Sequence, residues 1–398
     1  MAQDAPAGAA LDAAPLAPDF APHPPGPPLA ALTVEGDWLS AAWSDGLSRR
    51  FYAPWLRENA VQAGVDPVTR ERGLDLSLMA PPRLQGAEEA SGVVTLSWAG
   101  EASPTRHLLG WLRDAAEGRG LAQAGLPAQT PWDAAAMPEP ISFDGPAALS
   151  DDAVLQDWLV ATRRYGLARL RGLGGDHGTV QRVAERVGVV RSSSFGFLFD
   201  VESKPDPDSA AYTSDALTGH TDLPTREMQP GLQLLHCREN GCTDGFSTMA
   251  DGFAIADALR EEEPETFEAL TTLPWVFTNR HRSFDYRQSR PIVALGPDGA
   301  VREVAYSNAL RAEPDMEEGD VPRAYAAMRR MMQLAASSRF LCRYPFAPGD
   351  LVIFDNRRIL HGRDRFTPQT GTRRLQGCYL DTDELLSRLR VLHRNGRA

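Results

Sequence analysis

Short apolar runs broken by turn residues dominate the hydrophobic pattern of this chain. LTVEG (32–36), WLSAAWSDG (38–46) and SRRFYAPWL (48–56) read as strands separated by Gly and Asp turns, and GVVTLSWAG (92–100) reads as another. A helix is expected around Leu108–Ala116. Val154, Leu155, Trp158 and Leu159 recur at helical spacing within Asp152–Tyr165, and LARL (167–170) is strand-like. His177–Val187 reads as a second helix with Asp176 as its cap. Short strands then follow one another: GLQLLHC (231–237), FSTMA (246–250), WVFTN (275–279), PIVAL (291–295), REVAYS (302–307), DLVIFD (350–355), RILHG (358–362) and RRLQGCYLD (373–381). Helices at 252–262 and 322–336 interrupt them. Many short strands without regular βαβ alternation predict an antiparallel barrel or jelly roll. The fold class is therefore mainly β with flanking helices.

Composition divides the chain further. Residues 1–30 are Ala/Pro-rich, ending APHPPGPPLA, and are expected to be a disordered tail that carries His23. Residues 31–117 form a small N-terminal β-rich domain, and the Gly/Pro/Ala-rich stretch 118–140 reads as a linker. Residues 141–390 carry the main domain, and 391–398 a basic C-terminal tail.

Across 398 residues, 41 basic and 53 acidic side chains leave a net charge of −12, which argues against bulk affinity for nucleic acid or anionic membranes. No apolar stretch reaches the ~18–20 residues of a membrane span, and no secretory signal is expected. Four cysteines are too few for a disulfide scaffold in a chain of this length, so reduced thiols and a cytoplasmic location are expected.

The sharpest chemical signal is GHTDLP (219–224). His220 and Asp222 are two residues apart, so on an extended segment both side chains share one face. An imidazole and a carboxylate on one face are two thirds of a 2-His-1-carboxylate triad, the set that leaves adjacent positions open on iron(II). His361, in VIFDNRRILHGR (352–363), is the candidate third ligand. The H-x-D pair alone also occurs in surface turns; the ordered combination with the distant histidine strand and the arginines beyond it carries the signal. A dicarboxylate that chelates iron at its 2-oxo acid end leaves its distal carboxylate in need of a planar bidentate partner. Arg373 and Arg374 are adjacent on a strand, so one faces in. Arg373 shares parity with Leu375, Gly377 and Tyr379, a set ending in an aromatic, and is the favoured partner over Arg374.

The segments AYTSDALTGHTDLP, PGLQLLHC, PGDLVIFDNRRILHGR and RRLQGCYLD resemble those of the γ-butyrobetaine dioxygenases, within the taurine dioxygenase-like Fe(II)/2-oxoglutarate oxygenases. WSDGLSRRFYAPWLREN resembles the small N-terminal domain of the same enzymes, so the likeness covers about residues 32–390. It implies a double-stranded β-helix (jelly-roll) catalytic domain, with His220, Asp222 and His361 as metal ligands and Arg373 on 2-oxoglutarate. Ser247 matches a hydroxyl position that supports the same carboxylate, or is an ordinary strand residue. The resemblance also implies an aromatic cage for a trimethylammonium substrate. Tyr212 matches one cage tyrosine, and Phe195, Phe199 and Tyr379 fall at the others. The two phenylalanines stand where the family has Tyr and Trp, and core packing is their other reading. Asn308 matches an asparagine that holds the substrate carboxylate, and Ser209 stands where a second asparagine is expected.

The reaction so implied is hydroxylation of γ-butyrobetaine to L-carnitine, with dioxygen consumed and succinate and CO2 released. Ascorbate as a stimulant and a homodimeric state come with the same resemblance. Trimethyllysine or another quaternary ammonium acid is the alternative substrate, and a non-catalytic ligand-binding or sensor protein the alternative class. One departure stands out. The family's N-terminal domain binds structural zinc through cysteines just after WLR-[DE]-N, whereas this chain reads WLRENAVQAGVDP there. Structural zinc is therefore expected to be absent, with Trp38, Trp43, Trp55, Trp98 and Trp111 supplying the core and His107 left without ligand company.

Overall fold

The computed structural model describes residues 16–61, 63–75, 77, 80–118, 125–202, 213–367 and 371–396. Ser209 and Tyr212 lie outside these residues. The chain divides into two compact units, residues 1–124 with 394–398, and residues 125–393.

In the first unit, β1 (Leu29–Glu35), β2 (Trp38–Trp43) and β3 (Ser48–Tyr52) form an antiparallel sheet followed by α1 (Ala53–Glu58). A second antiparallel sheet joins β4 (Leu84–Ala90), β5 (Val93–Trp98) and β6 (Thr105–Leu108), which leads into α2 (Leu109–Ala116). Leu39, Trp43, Leu56, Val94, Leu96, Trp98 and Leu112 are buried between them. Phe51, Trp55, Trp111 and His107 stack in series, with centroids 5.5, 4.8 and 5.7 Å apart. Each large side chain buried this way contributes about 1.5–3 kcal/mol. Trp38 is not part of that core: it is 37% exposed and lies beside Tyr52 and Arg50.

The expected disordered tail needs correction over 16–30. His23 is bonded to Asp19 at 2.8 Å and to Asp114 of α2 at 2.7 Å. The strap approaches α2 at Gly110, where a Cβ would fall 2.3 Å from the carbonyl oxygens of His23 and Pro24. Glycine at 110 is what lets the two backbones meet.

The second unit begins with β7 (Ser142–Asp144), α3 (Gly145–Ser150), α4 (Asp152–Tyr165), β8 (Leu167–Arg171), α5 (Thr179–Val187), β9 (Val190–Arg191) and β10 (Phe199–Glu202). It continues through β11 (Leu217–His220), β12 (Leu232–Asn240), β13 (Ser247–Asp251), α6 (Gly252–Glu262) and α7 (Pro264–Thr272). Two hairpins follow, β14 (Trp275–His281) with β15 (Phe284–Arg290), and β16 (Val293–Leu295) with β17 (Val301–Val304). The chain closes with α8 (Val321–Ala335), β18 (Cys342–Tyr344), β19 (Leu351–Asp355), β20 (Ile359–Arg363), β21 (Arg373–Leu380) and α9 (Thr382–Asn395).

The larger sheet has the order β10-β21-β12-β19-β8-β7, with β9 also on β21; the smaller is β11-β20-β13-β18. All pairs in both are antiparallel except β7 with β8. Period two sorts the larger sheet. Leu232, Leu234, Leu351, Ile353, Cys378 and Leu380 meet α4, α5 and α9 on one face. Cys237, Val352, Phe354 and Leu375 face the other way, packing against Met249, Cys342, Tyr344 and Ile359 of the smaller sheet. A third core gathers α6, α7 and α8 against β14 and β16.

Three boundaries differ from expectation. Residues 125–140 are not a free linker, since Trp132 is buried and its backbone N–H donates to Asp251 at 3.0 Å. Asp251 in turn pairs with Arg358 at 2.7 Å, both wholly buried, and Arg358 donates to the Thr130 carbonyl. The expected basic tail after 390 belongs to α9, with Leu392 buried. Finally, α5 starts at Thr179 with Gly178 in the N-cap position at φ +82°, so Asp176 does not cap it.

Candidate active site

Pairing of β11 with β20 sets His220 directly opposite His361, and their rings are 4.2 Å apart. Asp222 lies two residues beyond His220, where the chain has left the strand. Its Oδ1 is 3.4 Å from His220 Nε2 and 3.7 Å from His361 Nε2. Donor atoms of all three lie within 4.8 Å of one another, the one such cluster among the described residues. His220 Nδ1 is 2.9 Å from the Thr218 carbonyl, an acceptor, which assigns the ring proton there and leaves Nε2 as the lone-pair donor. Asp222 Oδ2 accepts from the Tyr379 hydroxyl at 2.7 Å, which turns Oδ1 toward the histidines.

Electrostatics match this geometry. Burial opposes ionisation of Asp222, yet nearby His361 and the bonds from His220 and Tyr379 outweigh it and hold the carboxyl well below its usual range. Burial, with His220 beside it, pushes His361 down to about 3. Burial also works against charge on His220, but its contact with Asp222 prevails and raises it. One carboxylate and two converging imidazole nitrogens are a donor set suited to a divalent iron, zinc or manganese ion, and their 2-His-1-carboxylate type is that of the non-haem iron(II) oxygenases.

On β21, Arg373 is turned inward and Arg374 outward. Arg373 is 7% exposed and its Nε has no partner. Arg374 is 53% exposed, with Glu202 at 3.3 Å and Glu239 at 3.6 Å. Sequence reasoning did not single out Arg363, two residues past His361 and therefore on the same face of β20. It too is buried with an unpartnered Nε, and both guanidiniums lie against Phe366, at 4.6 Å for Arg363 and 5.9 Å for Arg373. Burial, with Arg373 nearby, pushes Arg363 down to about 10, and burial lowers Arg373 as well. Among the described residues no carboxylate pairs with either. Ser247 is buried on β13 with its backbone in register with Arg363. Arg363 Nη2 donates to the Thr213 and Asp215 carbonyls, but the charges of Arg363 and Arg373, beside the Ser247 strand position, have no anion to offset them among the described residues.

Tyr379 joins the triad to an aromatic wall. Phe199 lies 4.9 Å from Tyr379 and 6.0 Å from Phe195, which is partly exposed. Gly377 makes room for it: a Cβ there would fall 2.6 Å from the Phe199 ring and 2.9 Å from Leu235. Gln233 was also not singled out. Its backbone is in register with Phe354 and Tyr379, it is buried, and its Oε1 has no partner. Asn308 is exposed, two residues beyond Tyr306, whose carbonyl accepts from Thr221 N–H at 2.7 Å.

Comparison with known proteins agrees with this arrangement. The family pattern described as "Taurine catabolism dioxygenase TauD, TfdA family" matches residues 125–379. A γ-butyrobetaine dioxygenase of Pseudomonas sp. (strain AK-1) is 41% identical over 383 residues, covering 94% of this chain and 99% of that protein. The human γ-butyrobetaine dioxygenase is 33% identical over 240 residues, 59% of this chain and 62% of its own. A trimethyllysine dioxygenase of Meyerozyma guilliermondii is 25% identical over 91% of this chain and 95% of its own. With the family pattern spanning more than half its length, this chain belongs to the TauD, TfdA dioxygenase family.

Proposed function

We propose that this protein is an Fe(II)- and 2-oxoglutarate-dependent hydroxylase of a small trimethylammonium carboxylic acid, with γ-butyrobetaine as substrate and L-carnitine as product. The observation that carries the reading is Tyr379, which bonds the triad carboxylate through its hydroxyl and borders the aromatic wall through its ring. A cation bound on that wall is thereby held beside the metal site. The two facing sheets read as the halves of a double-stranded β-helix, and the N-terminal unit as the small accompanying domain.

His220, Asp222 and His361 would hold the iron, which when bound supplies the redox chemistry that couples decarboxylation of the 2-oxo acid to hydroxylation. The sum balances: substrate C–H, 2-oxoglutarate and dioxygen become substrate C–OH, succinate and CO2. Arg373 and Arg363 hold the distal carboxylate of the dianion in a site shielded from water, where charge-assisted bonds are strong. Phe195, Phe199 and Tyr379 present aromatic faces to the quaternary ammonium group, worth about 2 kcal/mol or more when desolvated. Holding the dianion by its distal carboxylate and the substrate by its ammonium group orders the reacting carbon near the metal without further chemistry from the protein.

Succinate release measured with iron(II), 2-oxoglutarate and a panel of γ-butyrobetaine, trimethyllysine and an uncharged isostere tests this. γ-Butyrobetaine should give the highest kcat/KM, with carnitine formed in equal amount to succinate. Release that no substrate stimulates refutes the reading, and preference for trimethyllysine reassigns the substrate.

A further inference from the structure

Asp222 stands on backbone that has no strand to hold it, because β11 ends at His220. Immediately after it the chain turns through Leu223 at φ +53°, in the left-handed region. A non-glycine residue there costs about 1–2 kcal/mol, and persists only where its surroundings over-determine it. Those surroundings include Asn356, fully buried in the turn between β19 and β20. The Asp222 N–H donates to Asn356 Oδ1 at 2.7 Å, while Asn356 Nδ2 donates to the Asp222 carbonyl at 3.0 Å and the Pro230 carbonyl at 3.1 Å. The carboxamide grips one residue's main chain from both sides and ties it to the segment that leads into β12.

We infer that Asn356 is a positioning residue for the metal site: its carboxamide holds the Asp222 main chain in the left-handed turn that aims the carboxylate at His220 and His361. The inference rests on reading the triad as a metal site. Asn356 is five residues before His361, so one turn presents a ligand and fixes the backbone of another. No other side chain of similar size supplies the set. Aspartate keeps the acceptor but loses both donors, and serine is too short to reach both groups of Asp222.

The test is Co(II) binding to the full-length protein, read by titration calorimetry and visible absorption, with circular dichroism confirming the folded state at the temperature used. Asn356→Ala and Asn356→Asp should each bind Co(II) about 10- to 100-fold more weakly than wild type, the usual consequence of removing a group that orients a ligand. Adding Leu223→Gly to Asn356→Ala should recover part of that loss, because glycine takes the positive φ freely. It should do so even as melting temperature falls further through loss of a buried leucine. A purely structural role predicts the opposite coupling, with affinity following stability. Wild-type Co(II) affinity in either folded variant overturns the inference, as does a double variant whose affinity falls with its melting temperature. Should Asn356→Ala not fold, Asn356→Asp decides alone. Absence of Co(II) binding by the wild type overturns the metal-site reading, and this inference with it.

Discussion

Replacing Arg373 with methionine separates a binding role from a structural one by sign. In the ligand-free protein Arg373 is buried, its Nε has no partner, and no carboxylate among the described residues pairs with it. Burial already disfavours its charge. Substitution by an apolar side chain of similar length removes an uncompensated charge, so the ligand-free melting temperature should hold or rise. Binding should move the other way. A hydrogen bond to a charged group contributes about 1.5–3 kcal/mol, which at about 1.4 kcal/mol per tenfold is roughly a 10- to 160-fold weaker Kd for 2-oxoglutarate. Arg374→Met is the control: its ion pairs with Glu202 and Glu239 are exposed, a class worth about 0–1 kcal/mol, so 2-oxoglutarate affinity should change less than about fivefold. Calorimetric titration with 2-oxoglutarate in the presence of Mn(II), beside melting curves with and without ligand, reads both quantities. Ligand-induced stabilisation at saturating 2-oxoglutarate should shrink by about 1.5–3 kcal/mol in Arg373→Met and persist in Arg374→Met. A destabilised ligand-free Arg373→Met with unchanged affinity would refute the assignment, and equal losses in both variants would show that parity along β21 does not select the partner.

Two further outcomes follow from the packing. Gly377→Ala drives a methyl into the Phe199 ring, an overpacking worth about 1–3 kcal/mol; the KM for γ-butyrobetaine should rise while that for 2-oxoglutarate stays constant, and parallel changes in both would count against an aromatic substrate wall. His107, wholly buried on Trp111, is pushed by burial from 6.5 down to about 4. Between those values the unfolded chain binds a proton that the native chain does not, so stability falls as pH drops from 6.5 to 4, by about 3 kcal/mol at 1.4 per unit. His107→Phe should remove that part of the acid slope in urea unfolding curves; an unchanged difference between pH 7 and pH 4.5 would refute it. His23, raised by its bonds to Asp19 and Asp114 against the opposing effect of burial, contributes with the opposite sign, so the variant comparison rather than the raw slope is diagnostic.

Some of the site was legible because its geometry is local. Alternation along 373–379 separates Arg373 from Arg374 whatever the rest of the molecule does, and the H-x-D spacing marks two of the ligands, although Asp222 itself lies past the strand and is held by Asn356. Arg363 offered only its parity with His361, and Gln233 and Asn356 carried no comparable signal. Each is an ordinary polar residue in a strand or turn, and each matters only through a neighbour supplied by pairing: Phe366 and Arg373 for the first, Tyr379 and Phe354 for the second, Asp222 across 134 positions for the third. The expected tail failed for the same reason. Pro-rich sequence between 16 and 30 buries no face of its own, but Asp114, 91 residues away, gives His23 a partner and Gly110 gives its backbone a seat.

By itself, then, the amino-acid sequence determined the short-strand pattern, the triad residue types and the orientation of adjacent arginines, because a period of two needs only the local backbone. Tertiary structure alone decided which polar groups lose water. It placed two buried guanidiniums beside Phe366 with no carboxylate partner among the described residues, brought Tyr379 to both Asp222 and Phe199, and set an asparagine behind a strained turn. Desolvation depends on what packs above a residue, and register between strands distant in the chain is what supplies that cover.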